Sequence, residues 1–193
     1  GFDDAMFPAR AAAAVPGRER LLVLHSGVLY PSERDPTEFF RALAELRDAG
    51  AIHPSRVEFR LRATAHDELY APLLRELGLE DMVSLAPAVP YADALAEMMS
   101  ADACLVLQAA NCNDQIPAKV YEYLYAGRPV LALTDPAGDT GRLLRGLGMT
   151  DIVPLDDRRA IKEALPGFLE RVRTGSARIV EPSSVMPFSR RAL

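Results

Sequence analysis

The segment Asp114-Gln115-Ile116-Pro117-Ala118-Lys119-Val120-Tyr121-Glu122-Tyr123-Leu124-Tyr125-Ala126-Gly127-Arg128-Pro129 holds the residue types and spacing best suited to chemistry. Pro117 suits the first position of a helix, and Gly127 followed by Pro129 marks its end. Ile116, Val120, Tyr123 and Leu124 share one face of that helix and read as core. Lys119 and Glu122, at i and i+3, share another. A lysine in the first turn stands against the positive end of the helix dipole, at a cost of up to about 1 kcal/mol. A bound anion removes the conflict, because helix N-terminal amides and an ammonium both suit phosphate oxygens. Glu122, one turn deeper, can accept hydrogen bonds from a vicinal diol such as a ribose. The competing reading is a surface Lys119–Glu122 pair worth roughly 0.2–0.5 kcal/mol. Spacing does not choose between the two.

Elements able to position these residues begin at Arg20. Continuous apolar runs at 21–25, 57–61, 82–86, 103–107, 129–133 and 151–153 read as strands covered on both faces. Amphipathic helical patterns separate most of them. Asp35-Pro36-Thr37-Glu38 supplies an N-cap, a proline at N1 and a capping-box glutamate, with Phe39, Leu43 and Leu46 following at helical spacing. Leu69, Leu73, Leu74 and Leu77 form a second stripe, ended by Gly78. This alternation predicts an α/β domain with a doubly wound, roughly six-stranded parallel sheet. Ligands of such sheets bind beyond the carboxyl ends of the strands, near the reversal of strand order. The loops to search are therefore 25–34, 87–91, 108–114 and 134–141.

The Pro-x-Lys-x-x-Glu-Tyr-Leu…Gly-Arg-Pro-Val pattern at 117–130 resembles the donor-binding helix of GT-B glycosyltransferases. It is similar to the large retaining group with two acids separated by seven positions, in a variant of the bacterial surface-polysaccharide type. Here the two acids are Asp114, where the family more often has Glu, and Glu122. The resemblance implies one Rossmann-like half of a GT-B fold. It implies that Glu122 binds the ribose hydroxyls of a nucleotide and Asp114 the donor sugar. Leu24-His25-Ser26-Gly27 with Arg34-Asp35-Pro36 is similar to the family's first strand, glycine loop and basic residue. Gly27 would then let the diphosphate approach, with Ser26 beside it, and Lys119 and Arg34 would neutralise it. The stretch 79–91 resembles the one beside the nucleobase, with Tyr91 as a stacking candidate. Pro117, and Gly138 and Thr140 in the Gly-Asp-Thr-Gly at 138–141, complete the donor-binding candidates. Each has a plainer alternative: a turn glycine at 27, an Arg34 paired with Glu33 or Asp35, a packed Tyr91, an Asp or Thr N-cap near 139.

The implied substrate is a nucleoside-diphosphate sugar, with UDP or GDP as the nucleotide, and no cofactor. No metal is expected, since cations and helix dipoles can stabilise the leaving group and no Asp-x-Asp is present. The implied partner is a preceding acceptor domain, which would hold the catalytic group. On that reading residues 1–19 are a hinge remnant, 20–175 the donor domain and 176–193 the start of an interrupted helix. The 193 residues alone would bind donor without turning it over. A cytoplasmic setting, at most peripheral to the inner membrane, is expected. Two rivals remain, a sugar-nucleotide epimerase of the same architecture and a non-catalytic α/β ligand-binding module.

Composition limits the alternatives. With 49% apolar and 25% charged residues the 193-residue chain is neither disordered nor membrane-spanning, and its net charge of −5 offers no general field for nucleic acid. Cys104 lies in an apolar run and reads as a small hydrophobe. Cys112 has no zinc-ligand spacing. His25, His53 and His66 fit neither metal nor triad spacing; His25 alone sits where a ligand passes, and a hydrogen-bonded structural role competes there. The absence of Gly-x-Gly-x-x-Gly after the first strand disfavours a dinucleotide oxidoreductase. Arg171, Arg173 and Arg178 read as a solvated helix face.

Overall fold

The structure is a computed structural model that describes residues 1–7 and 18–192. Its strands are β1 (Leu21–Ser26), β2 (Val57–Arg62), β3 (Val83–Ala86), β4 (Ala103–Leu107), β5 (Val130–Leu133) and β6 (Ile152–Val153). They form one parallel sheet in the order β3-β2-β1-β4-β5-β6. The helices are α1 (Thr37–Asp48), α2 (Asp67–Glu76), α3 (Tyr91–Ser100), α4 (Ala118–Tyr125), α5 (Asp139–Gly146), α6 (Arg158–Arg173) and α7 (Pro182–Val185). Strand order reverses between β1 and β4, which makes their carboxyl ends the switch point of a Rossmann-like α/β fold.

Side-chain alternation on the central strands splits the interior into two cores. Leu21 and Val23 of β1 pack with α1, α2 and α6 on one face, while Leu22 and Leu24 pack with α3, α4 and α5 on the other. Each of these aliphatic side chains, buried from water, contributes about 1.5–3 kcal/mol. In α4, Val120, Tyr123 and Leu124 are fully buried and Ile116 packs beside them, as the helical spacing predicts. Cys104 is fully buried in β4.

Three local expectations are corrected. β2 is not a continuous apolar run: Val57, Phe59 and Leu61 are buried, while Glu58, Arg60 and Arg62 point to the other face. There α3 offers Glu97, which accepts from Arg60 at 3.0 Å and also from Arg62, while Glu58 accepts from Arg60 and Ser84. Leu69 is 51% exposed, and Tyr70 turns inward instead, its hydroxyl donating to Leu29 O at 3.0 Å. Arg171 and Arg173 are half-exposed on α6 but are tied to neighbouring groups, and Arg178 is not on that helix. Arg171 pairs with Asp151, Arg173 donates to the carbonyls of Glu19 and Arg56, and Arg178 lies beyond the end of α6 against Gly148.

The start of α1 also differs in detail. Asp35 Oδ1 accepts from Thr37 N and Oγ1, at 3.0 and 2.6 Å, but Pro36 takes the cap position. Glu38 reaches Arg41 and Arg158 instead of closing a capping box. Of the segment read as a hinge remnant, residues 8–17 lie outside the described residues. Phe2 bridges Ser189, and Phe2 and Phe7 lie 4.8 and 4.9 Å from the Tyr125 ring. The C-terminal segment holds α7 and a 3-10 turn at Met186–Phe188. No helix among the described residues is long and apolar enough to cross a membrane.

Candidate functional site

At the switch point, β1 delivers His25, Ser26 and Gly27, and α4 delivers Lys119 in its first turn. His25 is fully buried. Its Nδ1 lies 2.9 Å from Leu105 O on β4, and its Nε2 lies 3.3 Å from Lys119 Nζ. Burial, then the Lys119 and Arg34 cations, hold the imidazole well below its usual range, so it is neutral at physiological pH. The Ser26 amide donates to the buried Tyr123 hydroxyl at 2.9 Å, which fastens α4 to the end of β1. Gly27 has φ +119°, and a Cβ there would stand 2.8 Å from Lys119 Nζ. The backbone conformation demands the glycine, and the absence of a Cβ lets the ammonium stand beside it.

Arg34 comes to the same place from the loop after β1. Its guanidinium sits over the Tyr30 ring at 5.4 Å, donates to Val28 O at 3.4 Å, and lies 4.0 Å from Glu33. Burial first and the Arg34 charge second bring the Lys119 ammonium down to about 7, with Glu122 acting in the opposite direction. Two cations thus converge at one strand end, where an anion would relieve their repulsion.

The surface Lys119–Glu122 pair is not made. Lys119 turns to His25, and Glu122 Oε1 accepts from the Tyr91 hydroxyl at 2.9 Å. Tyr91, at the start of α3, is 46% exposed; burial of its hydroxyl and the Glu122 charge push that hydroxyl up to about 12. Glu122 is thereby held while a second carboxylate oxygen remains for a ligand. Pro117 is the cap of α4 and Ala118 its first residue. Asp114 is exposed in the preceding loop.

Gln108, which sequence reasoning did not single out, governs that loop. It is 2% exposed just beyond β4, and its Nε2 donates to Cys112 O at 2.7 Å and Gln115 O at 2.9 Å. Its one signal in the sequence was an amide directly following a buried strand. Thr140 Oγ1 donates to Gln115 O at 3.1 Å, and Asn113 O accepts from Asp139 N at 2.8 Å, so the first turn of α5 is tied to the same loop. A Cβ on Gly138 would stand 2.7 Å from Asn113 Oδ1. The structure therefore brings Gly27, Lys119, Arg34 and His25 together, with Glu122 and Tyr91 along α4. It places Gly138 and Thr140 one loop away, as partners of the Asn113–Gln115 segment. A concavity of about 360 Å³ lies off this crevice, lined by Asp35, Glu38, Asp135, Leu155 and neighbours. Another of about 280 Å³ lies between the loop before β2 and α6.

No protein-family model and no curated protein sequence matches the chain. Solved structures do. The chain is similar to an alpha,alpha-trehalose-phosphate synthase (UDP-forming) from Burkholderia xenovorans. The TM-score is 0.60 and the identity 18%, over 90% of this chain and 41% of that one. It is also similar to a sucrose-phosphate synthase from Thermosynechococcus elongatus. There the TM-score is 0.65 and the identity 16%, over 92% of this chain and 44% of that one. The fold is the Rossmann-like α/β fold found in these GT-B glycosyltransferases. The chain spans less than half the length of either.

Proposed function

We propose that this chain is the donor-binding domain of a glycosyltransferase that uses a nucleoside-diphosphate sugar. One observation carries the reading: Lys119 and Arg34 converge above a glycine at the switch point of the sheet. Lys119 and Arg34 hold the diphosphate, and Gly27 lets it approach the backbone, beside Ser26. The free carboxylate oxygen of Glu122 accepts from the ribose diol, and Asp114 lies toward the donor sugar. Tyr91, fixed to Glu122, borders the nucleobase, and Pro117 sets the start of α4. As the glycosidic bond breaks, negative charge grows on the departing diphosphate. A guanidinium and an ammonium already in place stabilise it without proton transfer.

The acceptor and the remaining catalytic group belong to a second domain, in keeping with the greater length of the similar structures. Glycan or polysaccharide synthesis in the cytoplasm is the setting we assign. One of those structures is named as UDP-forming, which supports uridine diphosphate as the first ligand to try, with guanosine diphosphate next. Calorimetry with UDP, GDP and ADP tests the reading. The wild type binds one of them, and Glu122→Ala weakens that binding at least tenfold, the loss of a charge-assisted hydrogen bond worth about 1.5–3 kcal/mol. Absence of binding to all three, or an unchanged affinity in Glu122→Ala, overturns it.

A further inference from the structure

His25 is a fully buried polar side chain at the crevice to which the donor contacts above give no role. Its ring spans the switch point. A carbonyl can only accept; of the two backbone groups that interact with the ring, Leu105 and Gly27, Leu105 is the stronger, and its carbonyl at 2.9 Å places the ring hydrogen on Nδ1. Nε2 then carries a lone pair, and it faces Lys119 Nζ at 3.3 Å. An ammonium can only donate, so this contact has a single polarity. On another side of the ammonium lies Gly27, where a Cβ would come within 2.8 Å.

The other charged groups facing Lys119 are Arg34, from the loop after β1, which repels it, and Glu122, one turn along α4, which attracts it. Burial and Arg34 together outweigh Glu122. An acceptor fixed in the strand aims the ammonium, since a lysine stem has four freely rotating bonds. The chain carries only two lysines, Lys119 and Lys162, among its 22 basic residues. An arginine at 119 would be charged at all accessible pH, so a lysine there makes the site's charge adjustable.

We propose that His25 is the positioning residue of this anion site: its Nε2 lone pair holds the Lys119 ammonium beside Gly27. The identity of the anion rests on the donor-domain reading; the His25–Lys119 couple does not.

Two substitutions separate the halves of the imidazole. His25→Asn keeps a donor at the Nδ1 place for Leu105 O but has no acceptor at the Nε2 place. His25→Gln has the reach to keep that acceptor. With two lysines in the chain, the Lys119 side-chain signal can be titrated directly by 13C NMR on the ligand-free protein. The Lys119 midpoint, near 7 in the wild type, falls by about one pH unit in His25→Asn and stays in place in His25→Gln. With UDP and inorganic pyrophosphate as probes, His25→Asn binds about tenfold more weakly at pH 8, and the gap closes near pH 5.5.

An unmoved Lys119 midpoint in a folded His25→Asn overturns the proposal, as does an equal loss of affinity in the two variants at every pH. If the midpoint moves but the wild type binds neither probe, the couple stands and the donor-site reading fails. Should neither variant fold, the imidazole 15N shifts of the wild type decide. A protonated Nδ1 with a bare Nε2 supports the proposal, and the opposite tautomer overturns it.

Discussion

Lys119 shows at the residue scale how a binding group opposes the fold that carries it. Its ammonium titrates near 7 in the folded chain against 10.5 for a free lysine, because burial and Arg34 disfavour its charge. Between these values the unfolded chain binds the extra proton, so the lysine's contribution to stability rises with pH from about 7 to 10.5. At and below pH 7 the full cost is present. Subtracting the denaturation curves of Lys119→Met from those of the wild type isolates this slope. We expect the difference to grow with pH across that window and to be flat below it, and a difference flat throughout would show that the ammonium is solvated. A diphosphate reverses the balance, since it favours the charged form; binding above pH 7 takes up a proton and weakens as pH rises. Most of this residue's behaviour was hidden in the sequence. Spacing along one helix offered Glu122 as its partner, whereas the contact that forms is with a histidine 94 positions earlier.

The element that matters most is the loop between β4 and α4, because it sets where the first turn of α4 stands. Gln108 holds two of its carbonyls from below, Thr140 a shared one, and Asn113 links it to Asp135 and to α5. Gln108→Leu takes one donor from each of those carbonyls, which keep Gln115 N and Thr140 Oγ1, at about 0.5–1.5 kcal/mol per bond lost. We expect the amides of residues 112–119 to lose hydrogen-exchange protection and nucleotide affinity to fall with them, while strands β1 and β4 keep their protection. Equal loss of protection across the sheet would mean that Gln108 serves the core and not the loop. The helix and its end at Gly127 were legible because capping chemistry is local, while Pro117, expected at the first helical position, is the cap. The loop's tie to α5 was not, because it joins segments about 25 residues apart through backbone atoms that sequence does not distinguish.

At the scale of the molecule, one sheet separates two apolar layers, and every strand of its centre contributes to both. Leu24 on one face and Phe59 on the other are each fully buried. Leu24→Ala and Phe59→Ala should therefore destabilise the fold by about 2–5 and 3–5 kcal/mol, each through the same single transition. Circular dichroism at two wavelengths with a calorimetric scan checks this, and two separable transitions in either variant would show the layers folding independently. The charged layer under β2 and β3 is the exception to this scheme. Burial alone would raise the Glu97 carboxyl, yet Arg62 and Arg60 hold it below 4.5. Apolar periodicity in 57–61 could not reveal that α3 would answer it with a carboxylate.

The sequence by itself determined the order and type of the strands and helices, the parallel sheet and the end of α4. It also picked out the residues Gly27, Arg34, Lys119 and Glu122. The elements follow from patterns read within a few residues of each other, apolar runs, helical stripes, caps and turn residues, whereas Gly27 and Arg34 were singled out by the resemblance to a family. Tertiary structure alone decided the partners. It put His25 under Lys119, Tyr91 on Glu122, Glu97 against Arg60 and Arg62, and Gln108 beneath the loop that carries α4. Those choices depend on which strand ends become neighbours at the switch point, and a parallel sheet brings together residues that the chain keeps far apart.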